Sequence, residues 1–227
     1  MPNPMNPTPP APTSDTRDRI LDAAERLFVE HGFDGTSMRM ITGAASANLA
    51  AVNYHFGSKD ALVQEVFRRR LADLNERRIA ALDRLEAEAA GAPLKPSRIV
   101  EAFFGTALEL AADTEHGGRT FMRLLARTYT EPNAFVRQFL AEEYAEVMDR
   151  FLSALFRALP EVPRAEILWR FHFMIGAMAF AIAGLGGLSE LFEATPEDDD
   201  PARLLPRLMS FLLGGLRAPL PECGVAG

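Results

Sequence analysis

TSMRMITGAASANLAAVNYHFGSKDAL, residues 36–62, reads as two short helices meeting at a tight turn. Thr36 and Ser37 are cap residues for the first helix, and Met38, Ile41 and Ala45 set an apolar stripe along one side of it. Ser46 and Ala47 form the turn. Asn48 caps a second helix in which Ala51, Val52 and Phe56 face inward while Leu49, Asn53 and Tyr54 point out. This spacing predicts a helix-turn-helix, a unit whose second helix lies in the major groove of DNA.

Helical periodicity continues on both sides. Ile20, Leu21, Ala24, Leu27 and Phe28 predict a supporting helix from about Thr16 to His31, with Gly32 placed to end it. After Ser58, the apolar positions Leu62, Val66, Phe67, Leu71, Leu74 and, beyond a basic stretch, Leu82 and Leu85 carry a long helix to about Ala90. Gly91 to Pro96 breaks the chain, and helical patterns follow at about Ser97–Asp113, Gly118–Tyr129 and Asn133–Leu159. Pro160 and Pro163 set off two last helices, Arg164 to about Leu191 and Pro201 to about Leu216, with an acidic, solvated loop at Glu197–Asp200 between them. Nothing reads as a strand, so the expected fold is all-α. It divides into a Pro-rich tail (1–15), a three-helix domain (16–62), a helical C-terminal domain (63–218) and a flexible end (219–227).

With 227 residues, 48% of them apolar, the chain can bury an ample core. Its net charge of −7 is unevenly spread: −1 over residues 1–15, +1 over 16–70 and −7 over 71–227. The repulsive charge lies mostly outside the reading unit, so DNA binding rests on a few placed contacts rather than on a basic surface. Cys223 is the only cysteine, which excludes an intrachain disulfide or multi-thiolate zinc site and fits a reducing cytoplasm. MPNPMNPTPPAPTSD has neither a basic residue nor an apolar segment of the kind a secretory signal needs. The four histidines are scattered, and no Gly-x-Ser-x-Gly elbow, phosphate loop or Ser, His and Asp set is visible. Neither a metal, a cofactor nor an enzyme activity is expected. Phe173–Leu188 has 16 consecutive uncharged residues, short of the roughly 18–20 that a bilayer requires. Its glycines point to a helix buried in an interface.

The helix TRDRILDAAERLFVEHGFDGTS, its GF-x-GTS connector and the YHFGSKDAL exit resemble the N-terminal domain of the TetR family of bacterial transcriptional repressors. One departure is Ser46, where the family usually has Gly; serine tolerates a positive φ poorly. By motif position the resemblance places Asn48, Leu49, Ala50, Asn53, Tyr54 and His55 at or near DNA, with Lys59 just beyond. Tyr54, Lys59 and the Thr36 and Ser37 hydroxyls suit phosphates. Asn53 suits adenine N6 and N7, and Leu49 and Ala50 suit a thymine methyl. Arg39 is either a phosphate or minor-groove contact or a solvated arginine, and His55 either a phosphate contact or a packing residue.

The resemblance also implies a homodimer on a double-stranded palindromic operator, joined by the last two helices through Phe173, Gly176, Ala177, Ala181, Gly184, Leu208 and Leu212. Phe103, Phe121, Met122, Arg123, Phe171, Met174 and Met178 are candidates for an effector cavity, although aromatic and methionine stripes are core by default. Arg119, Arg123 and Arg127 share a helix face, either solvated or with one member anchoring a ligand carboxylate or phosphate.

A narrower similarity, through LAAVNYHFGSKDAL, FMRLLARTY and ILWRFHFMIGAMAFAIAG, is to the PsrA-type subgroup of TetR repressors. It implies a long-chain fatty acid or acyl-CoA effector and control of lipid metabolism. The competing expectations are a repressor of an efflux or other catabolic operon with a different apolar effector, a small-molecule carrier without DNA function, and a hydrolytic enzyme.

Overall fold

The computed structural model describes residues 13–129, 133–182 and 201–221. The Pro-rich segment up to residue 12, Gly184 and the acidic Glu197–Asp200 run therefore lie outside the described residues. Among the described residues every regular element is helical, and they fall into two compact units, Met1–Phe67 and Arg68–Gly227.

The first unit holds α1 (Thr13–Gly35), α2 (Met38–Ala44), α3 (Leu49–Phe56) and the start of α4 (Lys59–Ala89). α1 is interrupted at Gly32, whose φ of 75° takes it out of the helix; the chain then makes one further turn to Gly35. Ile20, Leu21, Ala24 and Phe28 from α1 meet Ile41, Val52, Leu62, Val66 and Phe67 in a closed core. The Phe28, Phe33 and Phe67 rings follow one another at 5.4 and 6.0 Å. Because Val63, Val66 and Phe67 are buried in this core, the unit ends five residues later than the boundary expected after residue 62. Arg17 pairs with Glu65 and lies 5.5 Å from the Phe56 ring, so α1, α3 and α4 are tied at one point.

The turn between α2 and α3 keeps a positive φ although serine stands where the resembled family usually has glycine. Ser46 has φ 50°, a left-handed conformation that costs a residue bearing a Cβ about 1–2 kcal/mol. Glycine removes that strain but loses about 0.5–1 kcal/mol more chain entropy on folding. Ser46→Gly is expected to raise unfolding stability by about 0.5 kcal/mol, whereas the β-branched Ser46→Val lowers it by at least about 1 kcal/mol. Urea midpoints of the two variants check the opposite signs.

The second unit contains the rest of α4, α5 (Pro96–Val100), a π-helical turn (Glu101–Gly105), α6 (Thr106–Ala112), α7 (Gly118–Arg127), α8 (Ala134–Ala158), α9 (Arg164–Ile182) and α10 (Pro201–Arg217). Left-handed Ala90 and Gly91 end α4. Phe103 and Phe104 from the π turn meet Phe151 and Phe171 in an aromatic core, with centroids 4.9–5.4 Å apart. At the α6–α7 corner the backbones nearly touch: a Cβ on Gly118 would fall 2.3 Å from the Leu110 carbonyl oxygen, so only glycine fits. Arg150 and Arg157 of α8 pair with Asp83 and Glu86 on α4.

α9 is apolar and long enough to cross a bilayer by length and composition alone. One of its residues, the buried Arg170, carries a function within the fold. Its Nε donates to Glu166 at 2.8 Å, and its Nη1 and Nη2 donate to the Leu216 and Pro219 carbonyls at 2.6 and 3.3 Å. These carbonyls lie at the end of α10, where backbone acceptors lack helical partners, so Arg170 caps α10 from α9.

Candidate nucleic-acid interface and ligand cavity

Both short helices of the first unit carry side-chain caps. The Ser37 hydroxyl accepts from the Met40 amide at 3.2 Å, and Asn48 Oδ1 accepts from the Ala51 amide at 2.7 Å. The Arg19 Nε donates to the Ala45 carbonyl at 3.2 Å, which ties α1 to the start of the turn. Within α3 the sides separate sharply. Val52 and Phe56 are buried and Ala51 is half-buried, whereas Leu49, Ala50, Asn53 and Tyr54 are exposed, Tyr54 to 84%. Arg39, Ser37 and Asn48 are exposed as well, and Lys59, at the start of α4, is partly exposed. His55 is half-buried, its ring 5.2 Å from that of Tyr54 and 6.0 Å from that of Phe56.

Thr36 departs from this surface. It is 1% exposed, and its hydroxyl donates to the Gly32 carbonyl at 2.7 Å and the Leu27 carbonyl at 3.0 Å. The Thr36 hydroxyl thus bonds back to carbonyls on and before the Gly32 interruption of α1. The expectation of a phosphate contact from the Thr36 hydroxyl is therefore corrected: the group faces inward.

In the second unit, a cavity of about 480 Å³ is lined by Arg78, Phe103, Leu125, Thr128, Leu140, Tyr144, Met148, His172, Ile175 and Met178, among others. Of the seven residues expected at an effector cavity, Phe103 and Met178 line it. Phe121, Met122, Phe171 and Met174 are packed in the core, and Arg123 is exposed on the outer face of α7. Two arginines line the cavity, the exposed Arg137 and the buried Arg78, and sequence reasoning missed both. A signal was available: Arg78 sits on the α4 stripe of Leu71, Leu74, Leu82 and Leu85, where helical spacing calls for an apolar residue. Burial lowers its guanidinium pKa from the ordinary value, and a hydrogen bond with Tyr144 acts the other way. Burial likewise raises the Tyr144 phenol. A larger cleft of about 690 Å³ is lined by Arg77, Arg84, Arg98, Glu88, Glu101 and Glu109. Two of its arginines pair with carboxylates, Arg98 with Glu101 at 3.7 Å and Arg77 with Asp73 at 2.9 Å, and Arg84 donates to the Ala80 carbonyl.

Residues 20–66 match the tetR family of bacterial regulatory proteins, and residues 101–215, half of the chain, match the tetracyclin repressor-like C-terminal domain. The chain belongs to the TetR family. Among curated relatives, the transcriptional repressor KstR2 of Rhodococcus jostii is 40% identical over 73 residues, 30% of this chain and 35% of that one. The chain spans about a quarter to a third of the length of the curated relatives it matches. The fold extends much further than this identity. The fatty acid degradation regulator FadR of Bacillus halodurans superposes with a TM-score of 0.60 at 16% identity, covering 93% of this chain and all of that one. FadR of Bacillus subtilis, solved in complex with stearoyl-CoA, gives 0.61 at 14% identity, covering 87% and 98%.

In this TetR-family chain the last two described helices expose an apolar surface. Trp169, Phe173, Gly176 and Phe180 recur at intervals of four, three and four residues, which places them in one stripe along α9. Phe173 is 64% exposed, and its ring stacks on Trp169 at 5.7 Å. α10 adds Phe211 with Gly214 and Gly215, where an added Cβ would meet nothing within 4 Å. Among the expected interface residues, Phe173 and Gly176 are on this surface and Ala177 and Ala181 are half-buried at its edge. Leu208 and Leu212 are corrected: they are 8% and 1% exposed, facing into their own unit. Trp169, Phe180 and Phe211 are the large side chains exposed there instead.

Proposed function

We propose that this protein is a cytoplasmic, dimeric, DNA-binding transcriptional repressor that an apolar effector releases from its operator. The observation that carries the reading is the split of α3: Val52 and Phe56 anchor it in the core while Leu49, Ala50, Asn53 and Tyr54 project together into solvent. A capped, rigid helix with a polar outer face fits recognition by Asn53 of an adenine edge, with Tyr54, Lys59, Ser37 and Arg39 supplying phosphate contacts.

Dimerisation through α9 and α10 is supported by the composition of their exposed face, which sets large rings beside glycines. A two-fold axis brings such a face against its own copy, where the rings of one subunit can fill the glycine gaps of the other. Two reading heads held at fixed separation then match a palindrome.

A long-chain fatty acid or its CoA ester is the effector class favoured here. The PsrA-type similarity supports it, as do the predominantly apolar cavity and the shared fold with two fatty acid regulators, one of them bound to stearoyl-CoA. Ligand in the cavity touches Arg78 of α4, the helix that continues back into the first unit. Tilting α4 changes the spacing of the heads, and a coupling of about 1–3 kcal/mol changes operator affinity roughly 5- to 150-fold.

Gel shifts on the promoter-proximal sites recovered by genomic footprinting test the core reading. Asn53→Ala is expected to weaken binding at least about 10-fold and relax discrimination at one base pair of each half-site. Lys59→Ala is expected to weaken all sequences alike and to reduce the salt slope by about 1 per half-site. Unchanged operator binding in Asn53→Ala and Tyr54→Ala would move the reading surface off α3, and failure of the wild-type protein to bind any recovered site would leave the carrier reading in its place. Saturating oleate and oleoyl-CoA that both leave the shift unaltered would remove the lipid effector while retaining the repressor, in favour of an efflux or catabolic operon with another ligand.

A further inference from the structure

The 480 Å³ cavity combines a mainly apolar lining with one buried cation, Arg78; its other arginine, Arg137, is exposed. Arg78 is 1% exposed, and its Nη1 is buried with no hydrogen-bond partner. Among the described residues no carboxylate pairs with it; the groups acting on its charge are Tyr144 and Tyr129. A buried guanidinium left this way is costly, because charge is tolerated inside a protein only when paired and fully hydrogen-bonded. Yet Arg78 is held firmly. Its Nε donates to the Phe103 carbonyl in the π-helical turn at 3.0 Å, and its guanidinium lies 3.8 Å from the centre of the Phe103 ring. π turns recur at functional sites, and a guanidinium held by a carbonyl and a ring has its free N–H groups oriented before any partner arrives.

We propose that this cavity receives an amphipathic monocarboxylate head first, with its carboxylate paired to Arg78 and its apolar tail along Met148, Ile175 and Met178. The proposal rests on the effector reading above and narrows it. A free carboxylate supplies the charge that Arg78 lacks. A CoA thioester does not, since its carbonyl is neutral and its phosphates lie at the far end of a long polar arm. A volume of about 480 Å³ falls in the ordinary range of about 300–1,000 Å³ for small-molecule sites.

Calorimetric titration of the full chain with oleate, oleyl alcohol, octanoate and oleoyl-CoA, each below its micelle threshold, tests the assignment. Oleate is expected to bind about 10- to 100-fold tighter than oleyl alcohol, as a charge-assisted pair requires, and Arg78→Met should erase that difference while leaving alcohol binding in place. Equal affinity of wild type for oleate and oleyl alcohol overturns the proposal without any variant, as does preference for oleoyl-CoA over oleate. Arg78-dependent binding of octanoate with no oleate binding supports the carboxylate site and removes the long-chain reading. Tight, Arg78-dependent oleate binding that leaves operator affinity unchanged supports the site and removes its regulatory role instead. Failure of both carboxylates to bind overturns the site.

Discussion

Phe173→Asp is expected to leave a folded monomer that binds its operator at least about 100-fold more weakly than wild type, because the second head loses its high effective concentration. Phe173 is 64% exposed in the single chain, so the substitution removes little internal packing. Across a two-fold axis every residue occurs twice, so one substitution buries two carboxylates, each with a desolvation penalty of several kcal/mol. Analytical ultracentrifugation should report a monomer across the micromolar range, with helical circular dichroism close to wild type. Trp169 stacks on Phe173, so its fluorescence should shift to the red as the dimer separates in wild type on dilution. A persistent Phe173→Asp dimer would move the interface off this face.

Arg170→Ala should cost about 3–5 kcal/mol, the range for removing one partner from a buried ion pair. It has three acceptors on two segments: Glu166 one turn earlier on α9, and the Leu216 and Pro219 carbonyls at the end of α10. Arg170→Ala strands all three. Arg170→Lys should recover only part of the loss, since a single ammonium cannot span the three directions that the planar guanidinium reaches. Guanidinium denaturation of both variants measures the effect, and faster amide exchange over residues 208–217 would locate it at the α10 end. A loss below about 1 kcal/mol in Arg170→Ala would show that α10 is held by its apolar contacts alone. As α9 and α10 carry the exposed apolar face, Arg170→Ala should also weaken the dimer.

The helical order was legible from residue 36 outward because the signals are local. Ser37 and Asn48 cap their helices as cap residues do, Gly32 and Gly91 interrupt where left-handed backbone is needed, and Val52 and Phe56 alternate with Asn53 and Tyr54 at the helical period. At Ser46 the departure from the family's usual glycine left the turn geometry open, and the structure gives it a φ of 50°. Thr36 was misread because cap chemistry and back-bonding to a broken turn use the same hydroxyl, and only the position of the Gly32 and Leu27 carbonyls separates the two.

The sequence by itself determined which segments are helices and which side of each is apolar, since both depend on spacing along one chain. Tertiary structure decided what covers each apolar side. Leu212 and Phe211 are neighbours on a strongly amphipathic helix, yet one is sealed against its own unit and the other is open, and their hydrophobicity is the same kind of signal in both cases. Arg78 and Arg123 likewise carry the same charge, but the dielectric around each is set by residues distant in sequence, and that leaves one in solvent and the other buried against a phenylalanine ring.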